Sequence, residues 1–346
     1  MTRKTIRTQR QSAPSAVAPV FRWMMALGVL SLAASCLAQS AAPADAAQDY
    51  PKKPVRIITA GVGTLHDIIT RQIGQQLSKR WGQAIVVDNQ AAAGLTIGAG
   101  MAARAAPDGY TLLMGDRSAL AGAPSLYKDL PYDPAKDFVP ITLVARAPQV
   151  MIANPAFPAG NLREFIAYAK KHPGEINYAG AGPGTATHVA GEMLKTVASI
   201  DLTVVQYKGG GPGVLAVIGG EVQIGFSTTA PIMGHLRAGK LKAFAIGSVK
   251  RFAGAPDVPT AAEQGLPGFV AEQWIGMVAP ARTPTALITK LNQEFIAVVQ
   301  SPAMHDALLT QGAEPITGTP AEFSAFIRNE TTNFRKLVAS AGIKAE

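Results

Sequence analysis

From Tyr50 onward, short β-branched apolar runs alternate with stretches in which apolar residues recur every three to four positions. Val55–Thr59 reads as a strand. Asp67–Trp81 reads as a helix, because Ile69, Ile73, Leu77 and Trp81 share one face, and Asp67 is placed to cap it. Gly82 stops that helix, since glycine tolerates the left-handed conformation beyond a helix end. Ala84–Val87 predicts a second strand, Thr96–Ala106 a helix and Tyr110–Met114 a third strand. This βαβαβ rhythm predicts an α/β protein whose mostly parallel sheets are flanked by helices.

After a proline-rich stretch around Pro124–Pro140 the rhythm resumes. Strands are expected at Val150–Ala153, Ile176–Ala179, Thr203–Gln206, Val222–Phe226 and Leu241–Ile246, with helices between them. Asn161, three residues before Glu164, suits a helix cap. Thr283-Pro284 and Thr319-Pro320 each place a capping threonine before a proline at the first helical position. Ile141–Ala153 and Phe269–Ala279 are extended apolar segments that read as crossings between lobes. They divide the chain into one lobe of residues 50–148 plus 272–346 and a second of residues 149–271. A ligand cleft is expected between them, at the C-terminal ends of the strands.

Residues 1–47 follow a different pattern: a basic stretch ending at Arg22, an apolar run from Trp23 to Ala34, then small residues to Ala47. This is the layout of a secretory signal, and the run is short for a bilayer span. The formal charge of +9 shrinks once this leader is set aside, leaving 27 basic and 22 acidic residues. That balance mildly favours anionic solutes, and no Lys/Arg cluster interleaved with aromatics points to nucleic acid. Cys36, the only cysteine, is either a lipid-modified first residue after Ala34-Ser35 or part of a leader cleaved further on, after Ala38, Ser40 or Ala46. Both readings place the protein in the periplasm, and both leave the folded part without a disulfide or thiolate.

Two glycine-rich loops carry the candidate chemistry. The first, Ala60–Asp67, joins a strand to a helix and includes Gly63, Thr64, His66 and Asp67. The second, Gly180–His188, does the same with Gly182, Thr185, Thr187 and His188. Small residues let backbone N–H groups approach a ligand, and a helix start attracts an anion. The second loop is neither a dinucleotide fingerprint, lacking a glycine at 185, nor a P-loop, lacking the Lys-Ser/Thr pair. Three further segments end strands at the same rim: Asp116-Arg117-Ser118, Tyr207-Lys208-Gly209 and Ser227-Thr228-Thr229. Trp274 sits in the second crossing, where it would either close over a ligand or pack. The five histidines are scattered, with no zinc spacing, no Gly-x-Ser-x-Gly elbow and no acidic pair. The candidate catalytic set is therefore empty, and neither metal nor cofactor is expected.

In these loops and around them the chain resembles the substrate-binding receptors of tripartite tricarboxylate transporters, the Bug family. The matching segments include Ala105-Ala106-Pro107-Asp108-Gly109-Tyr110, Leu130-Pro131-Tyr132-Asp133-Pro134, Tyr207-Lys208-Gly209, Asp257-Val258-Pro259-Thr260 and Gly265-Leu266-Pro267-Gly268-Phe269. The resemblance implies a two-lobed periplasmic binding protein fold with two chain crossings, closing around a small carboxylate. It also implies a membrane permease as partner and, for the receptor itself, a monomer. Carried over, Gly63, Thr64, His66 and Asp67, with Gly182, Thr185 and Thr187, would grip one carboxylate through amides, hydroxyls and water. The ligand set extends to Ser118, His188, Tyr207, Ser227, Thr228 and Trp274. The first loop departs from the family's usual Pro-Phe-x-x-Gly-Gly run, with His66 in place of a threonine. Ser227 stands where an aspartate is common. A sensor signalling to a membrane protein, or an enzyme on the same scaffold, are the alternative readings.

Overall fold

The computed structural model describes residues 48–90, 95–182 and 184–341. The leader, with Cys36 and its candidate cleavage sites, lies outside the described residues, as does Pro183 of the second glycine-rich loop. The described residues from Pro51 on form one compact unit.

The unit holds two sheets. The six-stranded sheet takes β1 (Val55–Thr59), β2 (Ile85–Asn89), β3 (Thr111–Asp116), β4 (Phe138–Pro148), β10 (Glu272–Pro280) and β11 (Glu314–Pro315), in the order β11-β4-β10-β3-β1-β2. The five-stranded sheet takes β5 (Val150–Ala153), β6 (Asn177–Gly180), β7 (Thr203–Gln206), β8 (Ile224–Ser227) and β9 (Lys242–Ile246), in the order β7-β6-β8-β5-β9. The helices of the first lobe are α1 (Leu65–Trp81), α2 (Thr96–Ala103), α3 (Ala123–Leu126), α8 (Thr285–Val299), α9 (Pro302–Thr310) and α10 (Pro320–Ala341). Those of the second are α4 (Leu162–Ala169), α5 (Ala186–Ala198), α6 (Gly210–Gly219) and α7 (Thr229–Arg237). The fold is the expected two-lobed α/β architecture.

The expectation of mostly parallel sheets is corrected: both are mixed. β1 pairs in parallel with β2 and β3, and β6 with β7 and β8. The additions are antiparallel: β10 beside β3 and β4, and β5 beside β8 and β9. The crossings explain this. β4 leaves the first sheet and, one residue later, β5 enters the second; β10 brings the chain back. A strand arriving this way has no crossover helix to reverse it, so it lies antiparallel to its neighbours.

Each lobe has its own core. Ile58, Leu113, Trp274 and Phe323 belong to that of the first, and Met151, Phe165, Phe244 and Phe269 to that of the second. Each such side chain, fully buried, contributes about 1.5–3 kcal/mol of transfer free energy. The lobes also touch away from the crossings, where Leu126 and Phe334 pack on Val189 of α5.

Helix starts follow the sequence cues with two differences. Asn161 caps α4 by accepting the Glu164 N–H at 2.9 Å, and Thr319 caps α10 by accepting the Glu322 N–H at 3.2 Å, both as expected. The first helix, however, begins at Leu65, two residues before the expected start at Asp67, so Thr64 and not Asp67 is its cap. Thr283 does not cap α8; its hydroxyl donates to the Pro280 carbonyl at 2.7 Å, and Pro284 stands at the cap position.

Candidate functional site

A cavity of about 680 Å3 lies between the two sheets, a volume suited to a small molecule. The first lobe lines it with Gly61, Thr64 and His66 from the β1–α1 loop and Asp116 and Ser118 from the end of β3. The crossings add Gln149 and Gln273. The second lobe adds Thr185 and Thr187, the Gly209–Gly211 run, and Ser227 and Thr228. No lysine or arginine lines it among the described residues; Asp116 and His66 are its ionisable groups.

Positive potential comes instead from backbone. α5, α6 and α7 all start in the wall, after Thr185, Gly209 and Thr228, and none of the three has a side-chain cap. The first N–H groups of a helix have no intrahelical partner and carry the positive end of its dipole. Thr185 is a cap residue by position, but its hydroxyl donates back to the Gly182 carbonyl at 2.7 Å. Uncapped helix starts converging on one cavity form an anion seat.

The glycine-rich loop before α5 is held in place by its own amides. The Ala181 N–H donates to Thr187 Oγ1 at 3.0 Å, and the Gly182 N–H to Gln206 Oε1 at 2.8 Å. The Gly184 N–H donates to His188 Nδ1 at 3.0 Å. Gly184 has a positive φ of 71°, and a Cβ there would lie 2.6 Å from Leu126 Cδ1, so a side chain would be strained and would have to displace Leu126. Burial holds the His188 imidazole below its usual pKa; Glu192 opposes the shift and Lys195 adds to it. A neutral ring is what an acceptor nitrogen requires.

On the first-lobe side the β1–α1 loop closes on itself. Thr64 Oγ1 accepts the Asp67 N–H at 3.3 Å, and Asp67 Oδ2 accepts the Gly63 N–H at 3.0 Å. Thr64 thus caps the helix, and Asp67 ties down the residue before the cap. Burial pushes the Asp67 carboxyl up, but hydrogen bonds from Asn89 and Gly63 and the Arg71 charge hold it below its usual value. Gly63 supports the turn with a φ of 77°, a region that disfavours side chains. His66 is buried behind the loop, with Nε2 3.2 Å from Asp116 Oδ2. The pair meets the distance of a hydrogen bond but not its direction, since Nε2 has no hydrogen-bond partner. Asp116 Oδ1 accepts the Ala119 N–H at 3.0 Å, at the start of the π-helical turn Ser118–Gly122.

The structure therefore brings together Thr64, His66, Ser118, Thr185, Thr187, Ser227 and Thr228. Six other residues expected at the ligand do not line the cavity. The Gly63 N–H is taken by Asp67 and the Gly182 N–H by Gln206 at the end of β7, and His188 accepts the Gly184 N–H. Tyr207 packs against the second-lobe core and its hydroxyl meets Glu221 at 3.4 Å. Trp274 is core: its ring stands edge-on to Phe323 and Phe326, and Nε1 donates to Glu330 at 2.8 Å. Residues missed from the sequence include Gln149, Gln273 and Gln90. Only the Gly209–Gly213 region, glycine apart from Pro212, carried a local signal of its own.

Two lobes, two crossings and a polar cleft at the strand ends define a periplasmic-binding-type solute receptor. The family model for tripartite tricarboxylate transporter family receptors matches residues 69–343. The chain belongs to that family, one of receptors and not of enzymes. BugT of Bordetella pertussis is 36% identical over 306 residues, covering 88% of this chain and 94% of BugT. A solved R. palustris protein with adipate is 30% identical, with a TM-score of 0.77, covering 86% of this chain and 100% of that one. MatC from Rhodopseudomonas palustris, with bound malate, is 32% identical, with a TM-score of 0.72, covering 84% of this chain and 100% of MatC.

Proposed function

We propose that this receptor captures a small carboxylate in the cleft between a lobe of residues 50–148 plus 272–346 and a lobe of residues 149–271, and presents it to a membrane permease of the tripartite tricarboxylate type. One observation carries the reading: the uncapped starts of α5, α6 and α7 face one cavity that no lysine or arginine lines among the described residues. Such a site prefers a compact anion whose oxygens accept several N–H bonds at once. Adipate and malate, the molecules held by two relatives, are of this class. Thr187, Thr228 and Ser227 add hydroxyls on the same side. Receptors of this family work in the periplasm, which agrees with the leader read in residues 1–47. No helix among the described residues is long and apolar enough to cross a membrane.

Calorimetry of the purified protein against a panel of organic acids tests the proposal, together with mass spectrometry of whatever co-purifies. Saturable binding of at least one acid is expected. Absence of binding to every member, with no acid retained from expression, overturns it.

A further inference from the structure

One side chain of the first lobe, Leu126, presses on the second-lobe loop that precedes α5. A Cβ on Gly184 would lie 2.6 Å from Leu126 Cδ1, so the leucine methyl fills that space and rests on the glycine backbone. Gly184 is buried, and its N–H donates to His188 Nδ1. The residue is therefore held by its own lobe on one side and by the other lobe on the second. Thr185, the next residue, stands at the cap position of α5 and lines the cavity.

Leu126 does not line the cavity, but it ends a helical segment that begins there. Ser118, in the cavity wall, opens the π-helical turn Ser118–Gly122, which runs directly into α3. The turn is anchored at Ala119, whose N–H is accepted by Asp116 at 3.0 Å and whose carbonyl accepts the Tyr132 hydroxyl at 2.7 Å. Phe334 of α10 backs its far end, where a Cβ on Gly122 would lie 3.2 Å from Phe334 Cε1. Leu126 and Phe334 both pack with Val189 of α5. Only Leu126 of the two reaches the loop, since Phe334 has no atom within 4 Å of a Gly184 Cβ.

Glycine has more backbone freedom than any other residue, and a loop that must be ordered on binding weakens affinity. A side chain packed on Gly184 removes the alternative loop shapes in advance. We propose that Leu126 is a positioning residue: it holds the Gly180–His188 loop in the shape that points the start of α5 into the cleft. It strengthens ligand binding without touching the ligand. This rests on the reading above that the start of α5 helps to seat the carboxylate.

Two measurements on the same variants test it. Amide hydrogen exchange of the ligand-free protein reads loop order at Ala181, Gly182 and Gly184. Calorimetry reads affinity, with the tightest of malate, adipate, succinate and citrate as the probe. Leu126→Ala should speed exchange in the loop about tenfold and weaken the probe roughly five- to tenfold. Phe334→Leu loosens the same cluster away from the loop and should change either readout less than about twofold. Leu126→Met, which keeps the side-chain volume, should restore both. Gly184→Ala should weaken binding more in the wild type than beside Leu126→Ala, because the smaller side chain leaves room for the new methyl.

Loop exchange unaltered by Leu126→Ala overturns the proposal. So does a Phe334→Leu effect as large as that of Leu126→Ala, which would make the cluster a general brace between the lobes. Additive effects of Leu126→Ala and Gly184→Ala overturn it as well. If Leu126→Ala does not fold, Leu126→Val replaces it in every comparison. Where the wild type binds none of the four acids, the carboxylate reading loses its support and loop exchange alone decides the role of Leu126. Binding that is indifferent to Leu126 fails only this inference.

Discussion

The imidazole of His188 accepts the backbone N–H of Gly184 at 3.0 Å, so one turn of α5 holds up the loop that precedes it. Protonation at Nδ1 removes that acceptor. Burial lowers the folded-state pKa, with Glu192 and Lys195 as the charged neighbours. The unfolded chain, with an ordinary value of about 6.5, takes up the proton first. The stability this ring contributes is therefore present above about pH 6.5 and lost as pH falls toward the folded value. Melting temperatures at pH 7.5 and 5.5 should fall further in the wild type than in His188→Gln. Equal falls would remove His188 as the cause.

Thr64 caps the first helix by accepting the Asp67 N–H, and the loss of such a cap has a known scale. Thr64→Ala is expected to cost about 1 kcal/mol. In a chain of this size that lowers Tm by roughly 2 °C. Thr64→Ser should restore it, because the hydroxyl acceptor returns. A Tm unchanged in the alanine variant would show that the hydroxyl contributes nothing to the helix start.

The loop hydroxyls of the second lobe connect loop shape to ligand. Thr187 Oγ1 accepts the Ala181 N–H and Thr185 Oγ1 donates to the Gly182 carbonyl. Replacing both with alanine should weaken binding of the best acid about tenfold, one or two hydrogen bonds' worth. The cores of both lobes are untouched, so the protein should stay folded. Calorimetry and melting of the same preparation separate the two effects; unaltered affinity would take these hydroxyls out of the site.

The strand and helix rhythm was legible because both periods are local, as were the glycine-rich loops that end strands. Strand direction was not. Nothing in the apolar runs of β4 and β10 says that they return beside their partners, and that makes the sheets mixed. Trp274 was equally consistent with packing and with ligand contact; Phe323 and Phe326, on a helix far along the chain, decide for packing. Gln149 gave no signal either, since a single polar residue in an apolar crossing has no period. Its role depends on the cleft that the two lobes make around it. The expected cap Asp67 gives way to Thr64, because the apolar stripe begins after the helix does.

Lobe closure follows from contacts distributed over both lobes. Val62, at the tip of the first loop, is an exposed large apolar residue that also lines the cavity. A ligand bridging the lobes favours a closed population in proportion to the contacts it adds there. Small-angle scattering should show a smaller radius of gyration with saturating ligand than without. Superimposable curves at saturation would contradict closure.

Binding should also be nearly indifferent to salt. A site that relied on lysine or arginine would weaken steeply as the Debye length shrinks. Here, among the described residues, neither lines the cavity, and Lys208 beside Gly209 is exposed and outside its wall. The attraction comes from N–H groups in the first turns of α5, α6 and α7, which act over a few ångströms at the cavity surface. Between 50 and 500 mM sodium chloride the Kd for the best acid should change less than about threefold. A tenfold rise would mean that a cationic side chain, with Lys208 the first to test as Lys208→Gln, reaches the bound anion.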